Sequence, residues 1–507
     1  MKMYHHTLLL VCTTLVLLGS AFADMPPQGL DKLVTDLMKH DRVPGMALVV
    51  VKDGKVIVAK GYGTRTVGKQ EKVNADTLFG LASTTKAFTS VALGMQVDKG
   101  TISFDSLVAD VLPGFRVQDP YVSANVTVRD LLAHRTATDS ADMMWYARQD
   151  MPRGDLIRQL KYVPQAQSFR NGFVYSSLMY VAAGRILYAQ TGETWEEHMQ
   201  TDIFQPLGMR RTTTDMRGLG DLGNVASPYV SIEGGLIRIP HSNEVNTGPA
   251  GLIYSSANDV GRWLQFLLAG GSVDGQQLLS EETLAEIMSP HFVVDDLSPF
   301  EELIYFDSSF VTTGLGWFIS DYRGRKSLSH TGGIDGMAAF ISILPAENLA
   351  VGVFANLERN MARVAIRNWI YDQYLEVSET DWASRYKQWS GDLWAGLEKM
   401  AVEARDQRNP NISPSVRLQT FTGHYHDDLV GELQIELRED GELTARIGDV
   451  KDIPMQHWQY NTFKLTWANP LLNHPFPTLL KFELDPDGQP QSVVFTGPAE
   501  VMFTRVD

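Results

Sequence analysis

The sequence predicts an α+β chain followed by a small, separate antiparallel β-domain. Three observations carry that prediction. An Asp-Gly turn, Lys52-Asp-Gly-Lys55, joins two β-branched runs, Met46–Val51 and Val56–Val58. Three stretches with helical spacing each stop at glycine, the residue that tolerates the left-handed position after a helix. From about residue 416 the pattern changes to period two, as a sheet with one buried face requires.

In chain order, a helical stretch runs from Gly29 to His40 and leads into the hairpin around Asp53-Gly54. Residues 84–99 place Phe88, Val91, Ala92 and Met95 at helical spacing and stop at Gly100. Leu178–Thr191 ends at Gly192, and Ala257–Leu268 ends at Gly270-Gly271. Two late strands read at Ala338–Leu344 and Ala350–Phe354. Residues 381–407 form an amphipathic helix with Trp382, Tyr386, Trp389, Leu393, Leu397 and Met400 in one stripe, and its Trp/Tyr part at 382–394 is expected to pack against the preceding domain. A turn-rich linker, Arg408–Pro414, follows. Beyond it, Leu433/Ile435/Leu437 and Leu443/Ala445/Ile447 alternate with polar residues around Asp440-Gly441. Phe463/Leu465/Trp467, Leu480/Phe482/Leu484 and Val493/Phe495 repeat the scheme around Asp487-Gly488. Short strands with glycine turns imply a barrel or a sandwich of about 90 residues.

Composition bounds the function. The chain has 507 residues, 44% of them hydrophobic, with 60 acidic side chains against 44 basic ones. That length exceeds one ordinary core. A net charge of −16 argues against nucleic acid as a partner, because phosphate contacts need clustered Lys and Arg. The only cysteine, Cys12, falls within residues 1–23, where Lys2 precedes an apolar run from Leu8 to Leu18 and Ala21-Phe22-Ala23 ends the segment. That is the layout of a cleaved signal peptide, and the apolar run is too short to span a bilayer. The expected protein is therefore secreted or periplasmic, has no membrane span after cleavage, and contains no thiol, which excludes cysteine nucleophiles and thiolate metal sites. The twelve histidines show no His-Glu-x-x-His, so neither a metal nor a cofactor is expected. His424 and His426 read as exposed edge residues of a strand. The sequons Asn125-Val-Thr127 and Asn411-Ile-Ser413 matter only in a host that glycosylates secreted proteins.

The best candidate for chemistry is Ser83-Thr-Thr-Lys86, at the start of the 84–99 helix. A serine there lies near free backbone N–H groups and the positive end of the helix dipole. Lys86, three residues on, returns to the same face, so the two can be nucleophile and base. Acting as a base requires a lysine pKa lowered by about 3 units, roughly 4–5 kcal/mol, more than a helix dipole supplies. Desolvation can supply it, so Lys86 is expected in the core. The tetrapeptide alone also fits a serine cap followed by a solvated lysine, and Ser384-Arg-Tyr-Lys387 repeats it inside the late helix. Company distinguishes Ser83. Tyr175-Ser176-Ser177 offers a phenol that can relay a proton, and Ser329-His-Thr-Gly-Gly333 offers a glycine turn whose N–H groups can approach a carbonyl.

With these residues in view the chain resembles the penicillin-recognising serine hydrolases, in particular the class C β-lactamase-like branch. That branch includes D-aminopeptidases, carboxypeptidases, esterases and amide hydrolases. The resemblance extends in order over residues 30–360. It runs through Val43-Pro-Gly-Met-Ala47, Thr77–Ser83, Val126–His134, Ile203–Met209, Ala250-Gly-Leu252, Gly314-Leu-Gly-Trp317 and Ala355-Asn356. It implies an antiparallel sheet flanked by helices plus an all-helical subdomain. The expected divisions are a signal peptide over 1–23, a catalytic domain over 24–380, a helix and linker over 381–415, and a β-domain over 416–507. That last part resembles a lipocalin-like barrel found on some members, most clearly at Phe421–Tyr425.

The resemblance further implies roles. Ser83 is the acylated nucleophile, Lys86 its partner, Tyr175 the tyrosine of a Tyr-x-Asn element, and His330-Thr331-Gly332 the variant of Lys-Thr-Gly. The oxyanion donors are the N–H groups of Ser83 and Gly333, one such donor being worth about 2.7–4 kcal/mol. Ser177 stands where the family has Asn and lacks the carboxamide that reaches an amide carbonyl, which ranks small esters above D-amino-acid peptides or amides, and those above β-lactams. His330 in place of lysine grips a carboxylate less firmly. His134-Arg-Thr-Ala137 departs from the usual His-x-Ser-Gly turn, and His134 reads as a hydrogen-bonded core histidine. The expected partner is a small-molecule ester, amide or peptide substrate, and the oligomeric state is left open. A catalytically silent relative acting in cell-wall binding or assembly is the alternative.

Overall fold

A computed structural model describes residues 25–506, apart from 142–146, 233, 244, 296, 299–302, 307, 378–379, 474 and 498–499. The expected signal peptide, with Cys12, lies outside the described residues. At the centre is an eight-stranded antiparallel sheet. Its strands are β1 (Gly45–Lys52), β2 (Lys55–Gly63), β3 (Phe292–Val293), β4 (Val311–Thr313), β5 (Phe318–Tyr322), β6 (Arg325–Ile334), β7 (Met337–Leu344) and β8 (Leu349–Ala355). Their spatial order is β2-β1-β8-β7-β6-β5-β4-β3. The N-terminal hairpin thus joins the sheet beside the last strand, with Met46 opposite Ala355 and Lys52 opposite Leu349.

Both faces of the sheet are covered, which explains why Met46–Val51 reads as an unbroken apolar run rather than an alternation. Met46, Leu48 and Val50 pack into one core with the helices α1 (Leu30–Asp41) and α5 (Ala362–Tyr374). Ala47, Val49 and Val51 face the other core, with α2 (Thr85–Asp98), α3 (Ser177–Thr191) and α4 (Ala257–Leu268). Between β2 and β3 the regular structure is mostly helical, and α2 lies at its heart: Thr85 through Gln96 are all buried. A helix enclosed on every side needs no polar face, so any polar residue it carries must be satisfied inside the protein.

The helix α6 (Trp382–Asp406) follows, and its stripe packs only in part. Trp382 donates from Nε1 to Asp372 and Tyr386 is buried, whereas Trp394 and Met400 are 42% and 56% exposed. The strands β9 (Gly423–Asp427), β10 (Gly431–Leu437), β11 (Leu443–Ile447), β12 (Val450–Gln459), β13 (Thr462–Leu465), β14 (Leu479–Leu484), β15 (Pro490–Thr496) and β16 (Glu500–Arg505) close into a barrel. Closure decides barrel over sandwich: Tyr425 and His426 of β9 lie opposite Arg505 and Thr504 of β16. His424 and His426 are exposed, as expected, but the closed barrel gives them no edge. Phe421, Tyr425, Phe463 and Phe482 fill the interior, with the rings of Phe421 and Phe482 4.7 Å apart. No helix among the described residues is long and apolar enough to cross a membrane.

Candidate active site

Ser83 lies on a single 3₁₀ turn, Ala82–Thr84, that feeds directly into α2. The turn is held by Leu81 N–H donating to the Ile253 carbonyl at 2.8 Å. Ala82 sits at φ 47°, a left-handed conformation that costs a non-glycine residue about 1–3 kcal/mol. Ser83 is half-buried between buried neighbours, and its side chain caps no helix. Lys86 is fully buried. Its Nζ lies 3.2 Å from Ser83 Oγ, 3.4 Å from Ser177 Oγ and 2.9 Å from the Ala250 carbonyl oxygen. The amine also lies over the rings of Tyr175 and Tyr180, 4.9 Å and 5.4 Å from their centroids. The decoy falls elsewhere: Ser384 Oγ donates to Asp381 at the exposed start of α6.

Tyr175 precedes α3 and is held by a histidine. The His134 and Tyr175 rings are stacked, with centroids 4.4 Å apart. His134 Nδ1 accepts the Ser176 N–H at 3.2 Å, which fixes the backbone between Tyr175 and Ser177. The turn carrying His134 is anchored by buried Asp130, paired with Arg135 and with Arg170. Burial alone raises a carboxyl pKa, but these bonds outweigh it and leave Asp130 below its ordinary value. Burial, with Lys86 adding to it, holds His134 well below the ordinary histidine range. His330 is lowered to about 3 for the same two reasons, and its Nδ1–H donates to the Thr331 carbonyl at 2.6 Å. Both imidazoles are therefore neutral at pH 7.

Strand β6 brings His330, Thr331, Gly332 and Gly333 alongside the Ser83 turn. Gly332 has no space for a side chain: a Cβ there would sit 2.2 Å from the Leu81 carbonyl oxygen. Gly333 is exposed, with no atom within 4 Å of where its Cβ would be, so its backbone borders open space. The contacts thus join Ser83, Lys86, Tyr175 and Ser177 directly and set the His330–Gly333 strand against them, the His330 and Tyr175 rings being 6.3 Å apart. Two members were not read as site residues from the sequence. The Ala250 carbonyl holds Lys86, and the sequence hinted at it only through the Ala250-Gly-Leu252 match. His134 was read as a core residue; nothing local predicts its stacking on a tyrosine forty-one positions away. A separate cavity of about 720 Å³, lined by Arg42, Glu358, Tyr386, Trp394 and Leu471 among others, lies outside this cluster.

An antiparallel sheet backed by a buried helix that opens on Ser-x-x-Lys agrees with the expected resemblance to the penicillin-recognising serine hydrolases. The family model described as Beta-lactamase matches residues 30–376, and the chain belongs to that family. A model described as a domain of unknown function, DUF3471, matches residues 407–506, the barrel and its linker. The chain is 27% identical to the unguisins hydrolase ungD of Aspergillus violaceofuscus over 445 residues, covering 82% of this chain and 77% of that protein. It is 28% identical to penicillin-binding protein 4 of Amycolatopsis lactamdurans, over 63% of this chain and 82% of that one. In fold it is similar to the octameric penicillin-binding protein homologue from Pyrococcus abyssi, with a TM-score of 0.61 at 19% identity, over 94% of this chain and 99% of that chain.

Proposed function

We propose that this chain is an exported hydrolase of small esters and amides that works through an acyl-enzyme on Ser83. The observation that carries the reading is the fully buried Lys86 amine 3.2 Å from a half-exposed Ser83 hydroxyl. Burial disfavours the ammonium, so the amine can take the Ser83 proton as Oγ attacks the substrate carbonyl. The N–H groups of Ser83 and Gly333 hold the oxyanion. As the tetrahedral species collapses, the C–O or C–N bond breaks and the leaving group takes a proton from the Lys86/Tyr175 pair. Water then attacks the acyl carbon and gives a proton to the Lys86/Tyr175 pair; the Ser83 Oγ–acyl bond breaks, Oγ takes that proton, and the acid is released.

Two features favour esters. Ser177 offers a short hydroxyl, shared with Lys86, where a carboxamide would grip an amide substrate. Neutral His330 supplies no cation for a substrate carboxylate. Export rests on Lys2, the apolar run Leu8–Leu18 and Ala21-Phe22-Ala23. The name of the relative that hydrolyses unguisins supports hydrolysis over a silent binding role. Treating the protein with a fluorophosphonate or a labelled penicillin and mapping the adduct by mass spectrometry tests the reading. Labelling at Ser83, absent from Ser83→Ala, is expected. No adduct with either probe, together with no turnover of a p-nitrophenyl ester, would overturn it.

A further inference from the structure

The β6–β7 hairpin closes through Asp335 and Gly336, two residues after the oxyanion strand residue Gly333. Gly333 pairs with Ala338 and Ile334 with Met337, so the position of the turn sets the position of the Gly333 peptide. The turn is held from three directions. Tyr229 N–H donates to the Gly336 carbonyl at 3.1 Å, and Gly336 N–H donates to Glu358 Oε2 at 3.3 Å. From the β-domain, Asn469 Nδ2 donates to Asp335 Oδ2 at 2.6 Å. Gly336 sits at φ 76°, where a Cβ would come 2.4 Å from Pro228, so the turn has little freedom to relax alone.

The same β-domain grips the segment between His134 and Tyr175. Asp449 N–H donates to the Ala147 carbonyl at 2.8 Å, and Ala147 is packed into the barrel core. The barrel thus touches both the turn after Gly333 and the segment that runs between His134 and Tyr175. Two of the three holds on the 335–336 turn come from within the catalytic domain; the third crosses from the barrel.

We propose that Asn469 of the β-domain is a positioning residue for catalysis: by bonding Asp335 it fixes the turn after Gly333 and with it the oxyanion donor. The barrel is then part of the hydrolytic machinery. Asn469 touches no reacting atom; it acts through Asp335. Losing a whole oxyanion donor lowers kcat by about 10²–10³-fold, and loosening one costs less, about 10-fold. The inference rests on the hydrolase reading, and the experiment separates the two.

Asn469→Ala, Asp335→Ala and the double variant are assayed on p-nitrophenyl acetate, with thermal melting in parallel. Each single variant is expected to lower kcat about 10-fold with KM within about twofold and little change in Tm. The double variant is expected to be no worse than the worse single, because both act through one bond. Asn469→Asp keeps the shape but sets a carboxylate against Asp335, so it carries the test if the alanine variant fails to fold; its kcat should fall further. Unchanged kcat in Asn469→Asp, losses that multiply in the double variant, or losses that track the unfolded fraction would overturn the proposal. Fluorophosphonate labelling of unmodified protein at Ser83, with variants as active as wild type, overturns this inference alone. No labelling of the unmodified protein overturns the hydrolase reading and this inference with it.

Discussion

The two domains bury different things. Among the described residues the barrel interior holds aromatic and aliphatic side chains, with Thr444 and Thr478 its only buried polar residues. The catalytic domain buries Lys86, Asp130, His134, His198, Asp259, His330, Arg363, Arg367 and Asp372. Taking an ionisable group out of water is expensive unless it is hydrogen-bonded or paired, or unless it becomes neutral. Asp130 and Asp372 are paired with arginines, while His134 and His330 are kept neutral. Lys86 has three oxygen neighbours within 3.4 Å. The barrel, built for stability, avoids these costs. The larger domain accepts them, and three of these groups, Lys86, His134 and His330, lie together beside Ser83 and Tyr175.

The sharpest way to break that comparison is Lys86→Met. Activity should fall about 10⁴-fold, as when one member of a nucleophile–base unit is lost. Stability should hold or rise, because an apolar chain of similar volume removes the cost of keeping a polar amine out of water. Ester turnover and thermal melting on the same samples check both parts. A lower Tm would show that Lys86 is structural and that the contrast between the domains is false.

Phe482→Ala tests the other side. It empties a site between Phe421, Tyr425 and Phe463 and should destabilise the barrel by about 3–5 kcal/mol, measured by denaturant unfolding. Near-neutral behaviour would mean the barrel core is loosely packed.

Acid sharpens the comparison further. His330 has a folded-state pKa of about 3, below the ordinary value of 6.5, so between these limits the unfolded chain binds a proton that the folded chain does not. Stability is then full above about pH 6.5 and declines as pH falls toward 3, by about 2 kcal/mol for His330 at pH 5. His134, also depressed, adds in the same direction. Melting curves across this range should show the loss, and His330→Gln should flatten it. An unchanged slope would show that His330 is not held neutral.

Much of the architecture was legible in one dimension. The hairpin at Asp53-Gly54, the helix stops at Gly100, Gly192 and Gly270 and the alternation after residue 416 each reflect a local rule of backbone or burial. The Ser83 and Lys86 pair was legible because the two lie three positions apart, one helical turn. Other features depend on meetings between distant segments. The aromatic stripe at 382–394 was expected to pack against the preceding domain; Trp382, Tyr386 and Trp389 do so, whereas Trp394 is 42% exposed. Barrel and sandwich have the same alternation, and only the pairing of β9 with β16 distinguishes them.

By itself the sequence determined the class of fold, the family and the presence of a Ser-x-x-Lys at a helix start, because periodicity, turn chemistry and short motifs are local. Only the tertiary structure decided which groups converge on that serine. The Ala250 carbonyl on Lys86, His134 stacked on Tyr175, and Asn469 on Asp335 join residues 164, 41 and 134 positions apart. Such contacts follow from how whole elements pack, and no local pattern encodes them. The roles of these residues, and of the barrel, are therefore a matter of packing.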